Sequence, residues 1–146
     1  MFLQLFISTI MVGVTVVLHA VALELIIRKI PRIESTALRV ERDSWKTVTI
    51  AVVVLAVFVA NVVEIWIWAA LYFFVHAVPD FETALYFSTT SFTTVGFGNV
   101  MPAPDWQLLG AIEAANGFML FGWSTAFTFE VLSRLYRKEN TAIKGK

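Results

Sequence analysis

The segment Thr93-Thr94-Val95-Gly96-Phe97-Gly98-Asn99 is polar, punctuated by glycine, and set between two apolar runs. Glycine takes backbone angles that cost other residues energy, so alternating Gly96 and Gly98 allow carbonyls to turn the same way. Several such segments meeting around an axis could present rings of carbonyl oxygens to a cation, in place of its water shell. The plain alternative, a Gly-rich turn between two helices, is a poor competitor. A turn needs one or two glycines, not a threonine pair ahead of Val-Gly-Phe-Gly.

These seven residues closely resemble the potassium-channel signature, with Phe97 where tyrosine is commonest and Asn99 where aspartate is. The resemblance is wider than the motif, covering about fifty residues. Phe81–Thr94 resembles a pore helix running into the filter, and Trp106–Leu135 resembles the inner helix after it. The resemblance implies that the carbonyls of Thr94, Val95, Gly96 and Phe97 coordinate dehydrated K+. The Thr94 hydroxyl then completes the innermost ring, and Gly98 lets the backbone turn at the outer mouth.

Support for the filter departs from many relatives. Phe97 lacks the hydroxyl that ties their filter to an aromatic cuff, and the cuff positions here are Tyr86 and Phe87. Thr90 stands where many relatives carry a pore-helix acid and Asn99 where they carry its aspartate partner, so neutral groups replace an acid pair. Val-Gly-Phe-Gly-Asn also occurs among ether-à-go-go-type channels, so selectivity need not be lost. In the inner helix Gly117 lies near the family's hinge glycine, displaced by about one residue, with Gly110 and Gly122 as rival hinges.

The elements that must hold such a segment are apolar. The chain has 146 residues, 58% hydrophobic, and a formal charge of zero, against roughly 45–50% apolar in a soluble domain. Cysteine is absent, which excludes a disulfide framework and thiolate metal sites, and no basic excess points to nucleic acid. One membrane domain over 1–146 is the natural reading.

The first helix is expected over 2–27, long enough to span. No positive charge precedes it and no small-residue cleavage site closes it, so it is read as a span and not a leader. At roughly 100° per residue, Gln4, Ser8, Thr15 and His19 fall within about 60° of one another. That stripe should face protein, on the second span, with His19 a hydrogen-bonded packing residue.

The stretch 28–46 holds six of the eleven basic residues, Arg28, Lys29, Arg32, Arg39, Arg42 and Lys46. Pro31 is expected to interrupt any helix continuing from the first span. Beyond it, Ile33, Leu38 and Val40 alternate with charges, which suits a short interfacial helix or a charged cytoplasmic loop equally.

The outer helix is expected over 47–78, its valines overruled as a strand signal by the length of the run. Glu64 at membrane depth costs roughly 2.5–3.5 kcal/mol on insertion scales, so it and Asn61 should face the protein interior. The pore helix over 80–92 is too short to span, with Asp80 its N-cap and its C-terminal end directed at the filter, 93–99. Asp105 can cap the inner helix, 105–136, which runs into a tail at 137–146. On that helix Glu113, Gly117, Ser124 and Thr128 fall within about 60°. Glu113 lies about 10 Å below Trp106, level with the filter. It should therefore bond Thr89, Thr90 or Ser91, rather than form a ring of charge in the cavity.

All eleven Lys and Arg lie in 28–46 or 134–146 and none in 78–105. The positive-inside tendency then places the N-terminus outside and the first loop and C-terminus in the cytoplasm, in the plasma membrane. Three spans satisfy that parity. No apolar helix carries arginine at every third position, and about ten residues follow Tyr136. Neither a voltage sensor nor an attached domain is expected to gate the protein.

The expectation is an all-α membrane protein: three transmembrane helices plus a re-entrant pore helix and selectivity filter, assembled as a homotetramer. It is no enzyme, it uses no cofactor beyond K+ in the filter, and its partners are its own copies and the bilayer. The alternatives are a less selective cation channel and a non-conducting membrane partner subunit. A transporter built from four filter-bearing repeats fits poorly, because this chain has one repeat with an intact motif.

Overall fold

The computed structural model describes residues 2–40 and 44–144, without the side chains of 38–40 and 138–144. The readings placed on Leu38, Arg39, Val40, Arg42, Lys138, Lys144 and Lys146 lie outside what is described. The described residues form four α-helices: α1 Phe2–Val40, α2 Trp45–Phe74, α3 Phe81–Phe92 and α4 Gln107–Lys144. The first two are long and apolar enough to cross a membrane. α4 is one residue shorter than α1, and Gln107, Glu113 and Asn116 make its first turns less apolar.

α1 does not stop at Pro31, contrary to expectation; the helix continues to Val40. A proline inside a helix forfeits one backbone hydrogen bond and crowds the carbonyl four residues back. Packing on both sides of it offsets that cost. Ile26 and Ile30 lie against the cluster of Val53, Val131 and Leu135, and Ala37 beyond the proline is buried.

α2 ends in a Schellman motif. The Ala77 amide donates to Tyr72 O at 2.9 Å and the His76 amide to Phe73 O at 3.1 Å, with His76 left-handed at φ 54°. The chain then turns into α3, where the Asp80 carboxylate accepts from the Thr83 amide at 2.8 Å. At 12 residues, α3 reaches about 18 Å, well short of a hydrocarbon core of about 30 Å. It packs between α2 and α4 while α1 lies against both. Its buried face is Ala84, Phe87, Ser88 and Phe92, set in a core with Ile65, Trp68, Tyr72, Leu109 and Leu120. Pro104–Trp106 forms a 3-10 turn ahead of α4, so Asp105 sits inside that turn rather than capping the helix.

Candidate functional site

α3 delivers the chain directly into the glycine-punctuated segment. Thr94, Gly96 and Gly98 have φ of 60°, 52° and 74°, whereas Val95 and Phe97 between them keep negative φ. In an extended chain successive carbonyls alternate sides; reversing the handedness at every second residue turns them toward one side. Thr94 is β-branched, and holding it left-handed costs on the order of 1–3 kcal/mol unless its surroundings impose it. Backbone bonds to the end of α3 do so: the Thr94 amide donates to Ser91 O at 2.9 Å and the Gly96 amide to Thr90 O at 3.1 Å.

The segment lies at the C-terminal, negative end of α3, and no basic residue stands in the last turn of that helix. Thr94 through Asn99 are all exposed in the single chain. They include Val95 at 56% and Phe97 at 71%, apolar side chains with nothing from their own chain over them.

The supporting residues fall in two groups. On the outer side, the Tyr86 phenol donates to Asn99 Oδ1 at 3.0 Å, and the Ala103 amide donates to Ala77 O at 2.9 Å. Thr90 spends its hydroxyl on Phe87 O at 2.9 Å and offers Gly96 its carbonyl. Phe87 stacks edge-on to Tyr72, with ring centroids 5.0 Å apart.

On the inner side stands Glu113, fully buried. Its partners are not Thr89, Thr90 or Ser91. Oε2 accepts from the Tyr72 phenol at 2.7 Å and Oε1 lies 2.5 Å from Ser88 Oγ, which also has Ile65 O within reach at 2.8 Å. Ser88 belongs to the buried stripe of α3, one turn beyond Ala84, whereas Thr89 is exposed in the single chain. Tyr72, by sequence one of the aromatics toward the end of the second span, is fully buried as a partner of Glu113, and the apolar period of α3 is the signal that singles out Ser88.

Gly117 is where α4 closes on α3. A Cβ there would land on the Phe92 carbonyl, so only glycine permits the approach. A Cβ at Gly110 would come within 2.7 Å of the Phe87 ring edge, and one at Gly122 meets nothing within 4 Å. All three lie in one continuous helix.

Further in, the polar stripe of α1 is buried at Ser8, Thr15 and His19. It faces α4 as well as α2. His19 Nδ1 lies 2.9 Å from Glu64 Oε1 on α2, and its Nε2 lies 3.2 Å from Ser124 Oγ on α4. Asn61 Nδ2 approaches the same Ser124 hydroxyl at 3.4 Å, and Asn116 Nδ2 donates to Thr15 at 2.8 Å. One direction of donation satisfies the central bonds: Asn61 to Ser124, Ser124 to Nε2, and Nδ1–H to the Glu64 carboxylate. Partner-seeking buried polar groups thus tie α1 to the other two long helices.

Residues 47–134 match the family described as ion channel. The match spans more than half of the chain, and the chain belongs to the ion channel family. It covers α2, α3 and most of α4, while α1 lies before it. No curated protein and no solved structure matches the chain. A member of this family with helices of spanning length and apolarity is an integral membrane protein.

Proposed function

We propose that the chain is the pore-forming subunit of a potassium-selective channel, with Thr94–Gly98 its filter and α3 its pore helix. The observation that carries the reading is the alternation of φ from Thr94 to Gly98 at the end of α3. Such a backbone offers oxygen ligands on one side, and K+ takes carbonyl oxygens from Thr94, Val95, Gly96 and Phe97 in place of water. One chain supplies one strand of oxygens, so four copies surround the ion. The exposed Val95 and Phe97 side chains are covered in that assembly by neighbouring subunits.

α1, α2 and α4 are the three spans, with α1 at the rim, away from the axis. The polar residues that thin the apolarity of α4, Glu113, Asn116 and Ser124, are buried against the other helices, so they need not face lipid. The N-terminus lies outside and the C-terminus in the cytoplasm, as the basic residues require. Of the three inner-helix glycines, Gly122 is the one whose surroundings leave room for a bend.

Purified protein reconstituted alone into liposomes tests the reading. Potassium flux without any partner supports it; no flux makes the chain a non-conducting partner subunit. Equal potassium and sodium flux makes it a less selective cation channel.

A further inference from the structure

α1 holds α4 on both sides of Gly122. Before the glycine, Asn116 Nδ2 donates to the Thr15 hydroxyl at 2.8 Å. Just past it, Ser124 Oγ lies 3.2 Å from His19 Nε2, and the His19 and Trp123 ring centroids are 5.4 Å apart. Farther on, Ile26 and Ile30 pack against the cluster of Val53, Val131 and Leu135. Thr15, His19, Asn116 and Ser124 are all buried, where a broken hydrogen bond is not replaced by one to water. Gly122 itself is exposed, with nothing within 4 Å of a Cβ placed there. Glycine weakens a helix interior, yet α4 runs through this position without a break.

We infer that α1 is a splint that keeps α4 straight across Gly122 and so regulates the movement of everything beyond it. Val131, nine residues past the glycine, lies about 13 Å along the axis. A kink of about 20° at Gly122 carries it about 5 Å, out of apolar contact with Ile26 and Ile30. Ser124 is nearer the pivot and moves less, but its contact with Nε2 is already 3.2 Å, so a small displacement ends it. α2 reaches the same hydroxyl more weakly, through Asn61 Nδ2 at 3.4 Å, and Asn61 keeps Val57 O as a partner when they part. His19 Nε2 has no such second partner among the described residues. The consequence for conduction rests on the reading that α4 lines the pore. There α1, which lies before the region matched to the family, sets how readily the inner end of the pore moves.

Hydrogen exchange of the full-length protein in detergent reads the splint directly. A bend at Gly122 opens the bonds from the amides of 123–126 to the carbonyls of 119–122. Ser124→Ala removes the polar contact and should speed exchange there roughly two- to twelvefold, the range of one lost hydrogen bond. Ile26→Ala with Ile30→Ala, which thins the apolar contact, should speed it too. Exchange at 108–116, before the glycine, should stay as in the parent. Adding Gly122→Ala, which favours the straight helix, should restore protection. In a conducting protein the same variants should change the fraction of time spent open, and Gly122→Ala should reverse that change. Unchanged exchange at 123–126, a rise spread evenly along α4, a rise that Gly122→Ala does not reverse, or an unaltered open fraction would each overturn the inference. Exchange is measured without flux. A protein that conducts nothing therefore defeats the channel reading and can still show the splint, while a conducting one with unchanged exchange defeats the splint alone.

Discussion

The Tyr86 phenol and the Asn99 side-chain carbonyl meet at 3.0 Å across thirteen residues of chain. This neutral bond joins the side of α3 to the segment just beyond Gly98, where a charged pair braces many relatives in the resemblance. Both residues are exposed in the single chain, so breaking the bond leaves no buried group stranded.

Tyr86→Phe removes that bond alone. A neutral hydrogen bond is worth about 0.5–1.5 kcal/mol, roughly a two- to twelvefold change per subunit in the ratio of braced to collapsed outer segment. If the proposed reading holds, potassium in the carbonyl rings keeps them apart, and the loss should emerge as current that decays when external potassium is lowered. Sustained current measured against external potassium checks this. A variant as steady as the parent at low potassium shows that the bond does not brace the filter.

Gly117→Ala should be the most damaging of the three glycine substitutions in α4. Its methyl meets the backbone of Phe92, which cannot swing aside, whereas at Gly110 it meets the edge of the Phe87 ring. Overpacking costs about 1–3 kcal/mol where side chains can adjust, so the backbone clash should exceed that range. Gly122→Ala, in open space, should be near neutral. Thermal unfolding in detergent orders the three.

Glu113 tests a count of protons. Ser88 has one hydroxyl proton and two oxygens in reach, Ile65 O at 2.8 Å and Glu113 Oε1 at 2.5 Å. Either the hydroxyl donates to Glu113 as a carboxylate, or it donates to Ile65 O and Glu113 supplies the proton of the second contact. Glu113→Gln keeps both contacts, the amide donating to Ser88 and its oxygen accepting from Tyr72, and should fold and assemble like the parent. Glu113→Ala strands the buried Tyr72 hydroxyl at about 1–3 kcal/mol and should lower the unfolding temperature. If glutamine is as harmful as alanine, the carboxylate charge itself is required.

The His19–Glu64 pair should show strong coupling. His19→Leu leaves a buried carboxyl without its partner, at about 3–5 kcal/mol, while the double change to Leu at both positions should recover much of that loss. A thermal double-mutant cycle measures the coupling. Simple addition of the two single effects would mean that the pair does not hold α1 to α2.

Asp80 gives α3 a pH dependence of known sign. Bonds from the Thr83 amide and hydroxyl to its carboxylate hold its pKa below the ordinary carboxylate value. A group depressed on folding contributes stability that is full above its unfolded pKa and is lost as pH falls through its folded pKa. Acid below the usual carboxylate range should therefore loosen the start of α3 in the parent. Asp80→Asn keeps an acceptor without the titration and should flatten that dependence, read by hydrogen exchange at Thr83.

Periodicity made faces legible and left partners undecided. The α1 stripe is buried at Ser8, Thr15 and His19, yet two of its three bonds to other helices go to Ser124 and Asn116 on α4. An angle around one helix says which side is covered, not which helix covers it. Pro31 misled because its local cost is fixed while the packing of Ile30 and Ala37 is a tertiary term. Depth along α4 points Glu113 to α3 but to Thr89, Thr90 or Ser91 and not to Ser88, because depth along one axis does not say which face of α3 is buried. The glycine motif announced unusual backbone angles at Gly96 and Gly98. Left-handed Thr94 is dictated by bonds to Ser91 and Thr90 that only the folded α3 supplies.

The bi-ionic reversal potential of the purified protein in planar bilayers tests the central claim most directly. With potassium on one side and sodium on the other, the account predicts reversal far from zero, with the potassium side strongly negative. Gly96→Ala, which strains the φ of 52°, should abolish that current or its preference. Reversal near zero, or a Gly96→Ala current as selective as the parent's, would contradict it.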